Sequence, residues 1–474
     1  MGQLIPVLCD EMVPGDFFQF GNEAVIRSQP LVAPILHEVN MYLHLFFVPY
    51  RILWDNAGTD NWETFISGGV DGDETPTLPR WDPSNTAQGS LWDFMGFPVG
   101  IDPAGAYPID MPRRAYNLVW NEYYRDEALQ NEVALTNETI LNRCWEKDYF
   151  TSSLLWQQRG TAPALPISGM SSAVWTSADF TNHAVDAAVS FQGIGANPVM
   201  YVGTVNGAAN ALNMFNSNTV DLSTATTFDI ADLRLAFQIQ KWMERNARTG
   251  ARYTEFLRAH FGVSPRDDRL QRPEYIGGSK SPIIFSEVLQ TSSTDGTSPQ
   301  GNLAGHGLTV SQSYCGKYHA TEYGLVIGLM SVMPRTVYSQ GINRQWLRRT
   351  KYDFYFPEFA NLSEQAIENA EICATASSAH NTGIFGYQGR YDEMRTKDNM
   401  VCSQMRDTFD YWHLARQFDP GTPPTLNDDF VECVPRKDIF AVPSEPGLIV
   451  NFGNIIKAIR PLPIMGEPGL IDHH

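Results

Sequence analysis

The chain has 474 residues, 43% hydrophobic, 12% aromatic and 18% charged, a composition that buries a large core and excludes a disordered polypeptide. Its 34 basic residues face 53 acidic ones, a formal net charge of −19, which excludes wrapping nucleic acid by bulk positive charge. Contact with phosphates would need local basic patches or a separate basic partner.

The opening, MGQLIPVLCDEMVPGD, has no basic region followed by an apolar run, so no signal peptide is predicted. In MYLHLFFVPY (41–50), Met41, Leu43, Leu45 and Phe47 share one face, the period of a strand that Pro49 ends or places at an edge. Residues 55–110 read as a loop-rich excursion. A helix is predicted in 111–133, with Tyr116, Trp120 and Tyr123 or Tyr124 on one side. From Gly160 to Phe228 the only charged side chains are Asp179, Asp186 and Asp221. This neutral stretch reads as an insertion of short strands and turns around a small apolar cluster of Trp175, Phe180, Phe191, Val199, Met200, Tyr201 and Met214. Charge returns at Asp229. A helix is predicted over 229–250, with Asp229 as N-cap, Ile230, Leu233, Phe237 and Gln240 at helical spacing, and Gly250 just past its end. A second, over 252–262, ends at Gly262. EYGLVIGLMSVMPR (322–335) is apolar on both faces, as in a strand buried between layers. Its apolar core is far short of the roughly 20 residues that span a membrane. Residues 438–463 read as two or three strands broken at prolines. With 37 glycines and 30 prolines along the length, the expected organisation is a β scaffold of 1–54 with 321–474, carrying excursions at 55–159, 160–228 and 229–320.

The cysteines (Cys9, Cys144, Cys315, Cys373, Cys402, Cys433) are scattered without C-x-x-C spacing, so free thiols are expected in place of disulfides or zinc. With no signal peptide, a soluble chain made in a reducing cytoplasm is expected. No G-x-S-x-G, H-E-x-x-H, P-loop or EF-hand pattern is present, and GIGANP (193–198) lacks the third glycine of a dinucleotide fingerprint. Glu122 and Asp126, at i and i+4 near Trp120, suggest glycoside chemistry, although a solvated helix face beside Arg125 is favoured. DGDE (71–74) is favoured as an acidic loop over a cation site, and His473 with His474 as a chain end over a metal pair. No catalytic residue, metal or cofactor is predicted. Two basic clusters remain: Lys241, Arg245, Arg248, Arg252 and Arg258; and Arg344, Arg348, Arg349 and Lys351, interleaved with Trp346, Tyr352 and Tyr355. Cations among stacking rings suit single-strand binding. Pairing with acids across protein interfaces while the rings pack in the core is the favoured alternative for each cluster.

The segments GQLIPVLCDEMVPGD, FFVPYRILWDN, AYNLVWNEYYRDE, DYFTSSLLWQQRG, RLQRPEYIGGS, TSPQGNLAG, YGLVIGLMSV, RTKYDFYFPEFANLSEQAIEN, FGYQGRYDEMR, AVPSEP and IRPLP closely resemble, in this order from residue 2 to the end, the major capsid protein of gokushovirus-type microviruses. These are small phages with circular single-stranded DNA. The resemblance implies a mainly β fold, an eight-stranded antiparallel jelly-roll barrel of viral capsid type whose long insertions contain some helices. It implies a non-enzymatic protein that assembles as sixty copies in a T=1 icosahedral shell around the genome. The implied partners are further copies of the chain, a small basic DNA-binding or packaging protein, an internal scaffolding protein, a DNA pilot protein, packaged ssDNA and a host cell-surface receptor. The implied location is the virion, assembled in the bacterial host cytoplasm. Family members usually carry a short arm ahead of the segment that opens this sequence.

The weakest match, 160–228, corresponds to a variable insertion that projects at the threefold axes, where a neutral face lets three copies pack without like-charge repulsion. Trp175, Phe180, Phe191, Met200 and Tyr201 are the candidate receptor contacts there. Arg344, Trp346, Arg348, Arg349 and Lys351 are the candidate DNA-facing residues. The excursions 55–160 and 229–320 are the candidate intersubunit surfaces. The competing reading is a carbohydrate-binding or glycoside-processing β protein, which the missing signal peptide disfavours, as it does a secreted adhesin.

Overall fold

Alternation builds the first long strand pair. In β2 (Phe17–Ser28), Phe18, Phe20, Ala24 and Ile26 are buried while Gln19, Glu23 and Arg27 face solvent. In the computed structural model the described residues are 1–163 (apart from 57, 59 and 71), 230–249, 252–291 and 303–462, with the backbone of two-residue strands at 173–174, 193–194, 197–198 and 219–220. The chain divides into two units, Met1–Gln157 with Asn246–His474, and Gln158–Arg245.

The first unit contains two four-stranded antiparallel sheets. One runs β1 (Ile5–Met12), β7 (Gly324–Pro334), β3 (Val39–Pro49), β4 (Glu274–Pro282). The other runs β10 (Leu448–Ile459), β2, β6 (Leu303–His319), β5 (Ile284–Leu289). The strands β8 (Glu364–Glu368) and β9 (Ile384–Gly389) pair separately. The fold is therefore mainly β, with ten longer strands among the described residues and two open sheets where a closed barrel of eight was expected. Part of the difference lies at Ile283. Only that residue separates β4 from β5, so one extended stretch leaves the first sheet and continues in the second.

The expected strand at 41–50 is β3, which ends at Pro49 as anticipated. Met41, Leu43, Leu45 and Phe47 pack with Phe18, Phe20, Ala24 and Ile26 of β2 and with Val326, Met330 and Val332 of β7 in the core between the sheets. The alternate residues Phe46, Val48, Leu325, Ile327 and Leu329 join a second core with Trp54, Trp81, Trp92, Tyr116 and Trp120. All of β7 is buried, as expected of a strand between layers, and each fully buried large side chain is worth roughly 1.5–3 kcal/mol.

The second core is built on α1 (Met111–Val119), which starts with Pro112 in its first turn and continues as a π-turn over Trp120–Tyr124. It stops there, short of the expected 133. Buried Asn117 Nδ2 donates to the carbonyls of Leu135 and Asn137, and Asn121 Nδ2 to that of Val133. These polar side chains capture the segment that propensity alone would have kept helical. The helices predicted near 229–262 are α2 (Ile230–Arg248) and α3 (Tyr253–Phe261), the latter closed by Gly262 at φ +71°. Asp229 and Gly250 lie outside the described residues. Residues 438–463 supply one strand, β10. Ahead of it, Ile439 and Phe440 enter the inter-sheet core with Leu31 as a loop, because Pro443 and Pro446 deny that stretch a ladder.

Candidate nucleic-acid and assembly surfaces

The segment 342–359 is a chain of single 3₁₀ turns: Arg344–Trp346, Lys351–Asp353 and Pro357–Phe359. Asn343 Oδ1 accepts from the Gln345 N–H at 3.1 Å. Asp353 Oδ2 accepts from the N–H groups of Thr350 and Arg349 at 2.7 and 2.9 Å. Burial would raise the Asp353 pKa, but these hydrogen bonds outweigh it and hold the carboxyl below its ordinary value.

Three of the four predicted cations anchor this segment. Arg344 Nη1 donates to Glu371 Oε1 at 2.7 Å and to the Ala366 carbonyl at 2.9 Å. Glu371 also accepts from Tyr149 Oη at 3.2 Å and the Glu368 N–H at 2.8 Å; burial raises its pKa against the pull of Arg344. Arg349 forks onto both oxygens of Glu368 at 2.6 Å. Arg348 is 3.9 Å from Glu393 and sits over the Phe354 ring. Lys351 has its Nζ 5.0 Å from the Tyr352 ring centroid and makes no ion pair among the described residues. The rings did not go to the core: Trp346 is 74% exposed, and Tyr352, Phe354, Tyr355 and Phe356 are also exposed.

Sequence reasoning missed Arg390. Its Nη2 donates to the Tyr352 carbonyl at 2.9 Å and its guanidinium lies 4.9 Å from the Tyr391 ring centroid. The neighbouring Asp392 pairs with Arg395 and leaves Arg390 without an ion pair among the described residues.

In the other basic cluster, Arg248 pairs with Glu364 and Arg252 with Glu127 and Glu255, while Lys241 and Arg245 are exposed. Glu122 and Asp126 do not share a helical face, because the helix ends at Tyr124; Asp126 pairs with Lys147. All six cysteines are unbridged. Among the described residues no His, Cys, Asp or Glu group could hold a metal, and no helix is long and apolar enough to cross a membrane. Asp71, His473, His474 and the expected receptor contacts Trp175, Phe180, Phe191, Met200 and Tyr201 lie outside the described residues.

The second sheet is open to solvent on its outer face, where Val25, Ile284, Leu308, Val310 and Ile449 are exposed. These apolar side chains share the face with Gln19, Glu23 and Arg27 of β2. Residues 1–470 match the capsid protein (F protein) family. The chain belongs to that family. It is 34% identical to capsid protein VP1 of Chlamydia phage 1, covering 99% of this chain and 93% of that one. Against capsid protein VP1 of Bdellovibrio phage phiMH2K it is 32% identical, with 98% and 92% covered, and against that of Spiroplasma virus 4 it is 31% identical, with 99% and 92% covered. The expected kinship with gokushovirus-type microvirus capsid proteins is therefore established. The chain is a structural protein of the virion with a capsid role.

Proposed function

We propose that the chain is the major capsid subunit of a T=1 icosahedral shell of sixty copies that encloses circular ssDNA. The observation that carries this reading is a capsid-family match over essentially the whole chain. Two facing sheets support it. Successive strands β1, β2 and β3 alternate between the sheets, as do β6 and β7, the wrapping of a jelly roll built from two Greek keys. The acidic balance leaves genome condensation to a small basic protein, and scaffolding and pilot proteins assist assembly in the host cytoplasm. The test is cryo-electron microscopy of the chain co-expressed with those partners. Shells of about 3.2 MDa, sixty copies of a 53.1 kDa chain, are expected; persistent monomers would defeat the reading.

Residues 160–228 form the threefold protrusion and meet the host receptor through Trp175, Phe180, Phe191, Met200 or Tyr201. Their near neutrality supports packing of three copies about an axis. Deleting the tip should abolish adsorption while shells still form. The surface at 342–356 faces the genome: Arg344, Arg348 and Arg349 hold it in shape, and Lys351 and Trp346 make contact. Lys351→Gln with Trp346→Ala should reduce packaged DNA in intact shells.

A further inference from the structure

Arg390, which reaches the Tyr352 carbonyl, lines a cavity of about 320 Å³, within the size range of small-ligand sites. Arg248, Arg390 and Arg395 line it, with Glu364, Asp392 and Gln388. Two of the three guanidiniums have counter-charges: Arg248 pairs with Glu364, and Arg395 with Asp392. Arg390 has none among the described residues. Its Nε is shielded from solvent and without a hydrogen-bond partner, and its contact with Tyr352 is to a neutral carbonyl. A partly buried cation left this way is costly unless something else completes it. Lys351, on the adjoining turn, is likewise without an acid and lies over the Tyr352 ring. The aromatic chain is continuous here. Arg390 covers Tyr391, whose ring centroid is 5.1 Å from that of Tyr355, and Tyr355 and Tyr352 are both half exposed.

We propose that this cavity takes one backbone phosphate of a single nucleic-acid strand, held by Arg390, while Lys351 on the adjoining turn adds positive charge and the flanking bases stack on Tyr352 and Tyr355. The site deepens the genome-contact reading of 342–356 and rests on it. Its chemistry is sequence-tolerant: a cation for the phosphate and π-faces for whichever bases adjoin. Arg390 is better suited than a lysine for this, because its planar fork holds two phosphate oxygens at once.

The test is binding of a fluorescent thymidylate oligonucleotide to the full-length chain across a salt series, with inorganic phosphate as competitor. Arg390→Gln should weaken binding about tenfold and flatten the log–log salt dependence by roughly 0.7, the share of one single-strand phosphate. Arg390→Lys should restore the slope, and Tyr355→Ala should weaken binding roughly 5- to 100-fold with the slope unchanged. Thermal unfolding of each variant should match the parent. The subsite is overturned if Arg390→Gln leaves affinity and slope unchanged while Lys351→Gln and Trp346→Ala reduce them, an outcome that keeps the broader genome-contact reading. It is also overturned if millimolar phosphate displaces the oligonucleotide and Tyr355→Ala does nothing, which marks a free-anion site. An Arg390→Gln defect confined to particle assembly marks a contact between copies and overturns it too. Failure of the parent chain to bind any oligonucleotide overturns both readings.

Discussion

Glu371, with its side chain 1% exposed, neutralises Arg344 and accepts from Tyr149 and the Glu368 N–H at the same time. Glu371→Ala leaves the Arg344 charge partly buried and unpaired, and should cost about 3–5 kcal/mol in equilibrium denaturation of the unassembled subunit. Arg344→Met with Glu371→Leu should cost far less, because both charges leave together. His44 gives a pH signature. Its Nδ1 is 2.7 Å from Tyr124 Oη, and burial, then the nearby Arg143 charge, lowers its pKa to about 4. The folded state thus binds this proton less readily than the unfolded chain does. Stability is unaffected above about pH 6.5 and is lost as pH falls from 6.5 towards 4, by roughly 3 kcal/mol at the full shift. His44→Gln should have a flatter denaturation midpoint against pH across that window. An identical slope would show that His44 titrates normally in the fold.

At the scale of elements, β4 of one sheet passes close against β6 of the other. A Cβ added at Gly277 would lie 2.0 Å from the carbonyl oxygen of Cys315, and Gly316 beside it has φ +152° at the bulge in β6. The obstacle is backbone and cannot rotate away, so Gly277→Ala should destabilise the subunit by about 1–3 kcal/mol or more, read as a lowered Tm. No sequence pattern marks this contact, since it joins residues far apart in the chain through a glycine that is silent in any periodicity. What the sequence did disclose was local: the alternation of 41–47, the two-faced apolar run of 324–333 and the glycine stop at 262 all became the expected elements. The helix from 111 overran because its end is set by Asn117 and Asn121 bonding a distant loop. The cations of 344–351 were visible as a cluster, but the acids that claim them, Glu368, Glu371 and Glu393, come from other segments. Arg390 was hidden for the mirror reason: an acid stood two residues away in sequence and bonded elsewhere.

For the whole molecule, the balance between charge and apolar surface governs association. Each copy carries a formal −19, so copies repel one another, while the outer face of the second sheet offers Val25, Leu308, Val310 and Ile449 to solvent. The two effects differ in their response to salt. Screening shortens the reach of repulsion from about 30 Å at 0.01 M to about 8 Å at 0.15 M, whereas burial of apolar surface does not depend on it. If shell contacts are mainly apolar, raising sodium chloride over that range should lower the protein concentration at which light scattering reports assembly. If they are held by ion pairs between opposite patches, the same salt should raise that threshold. The neutral stretch 160–228, with three charged residues in all, adds a sharper expectation. A shell lacking it should show the same salt dependence, because the repulsion resides in the charged remainder of the chain. A markedly weaker dependence after the deletion would place the controlling contacts in the insertion itself.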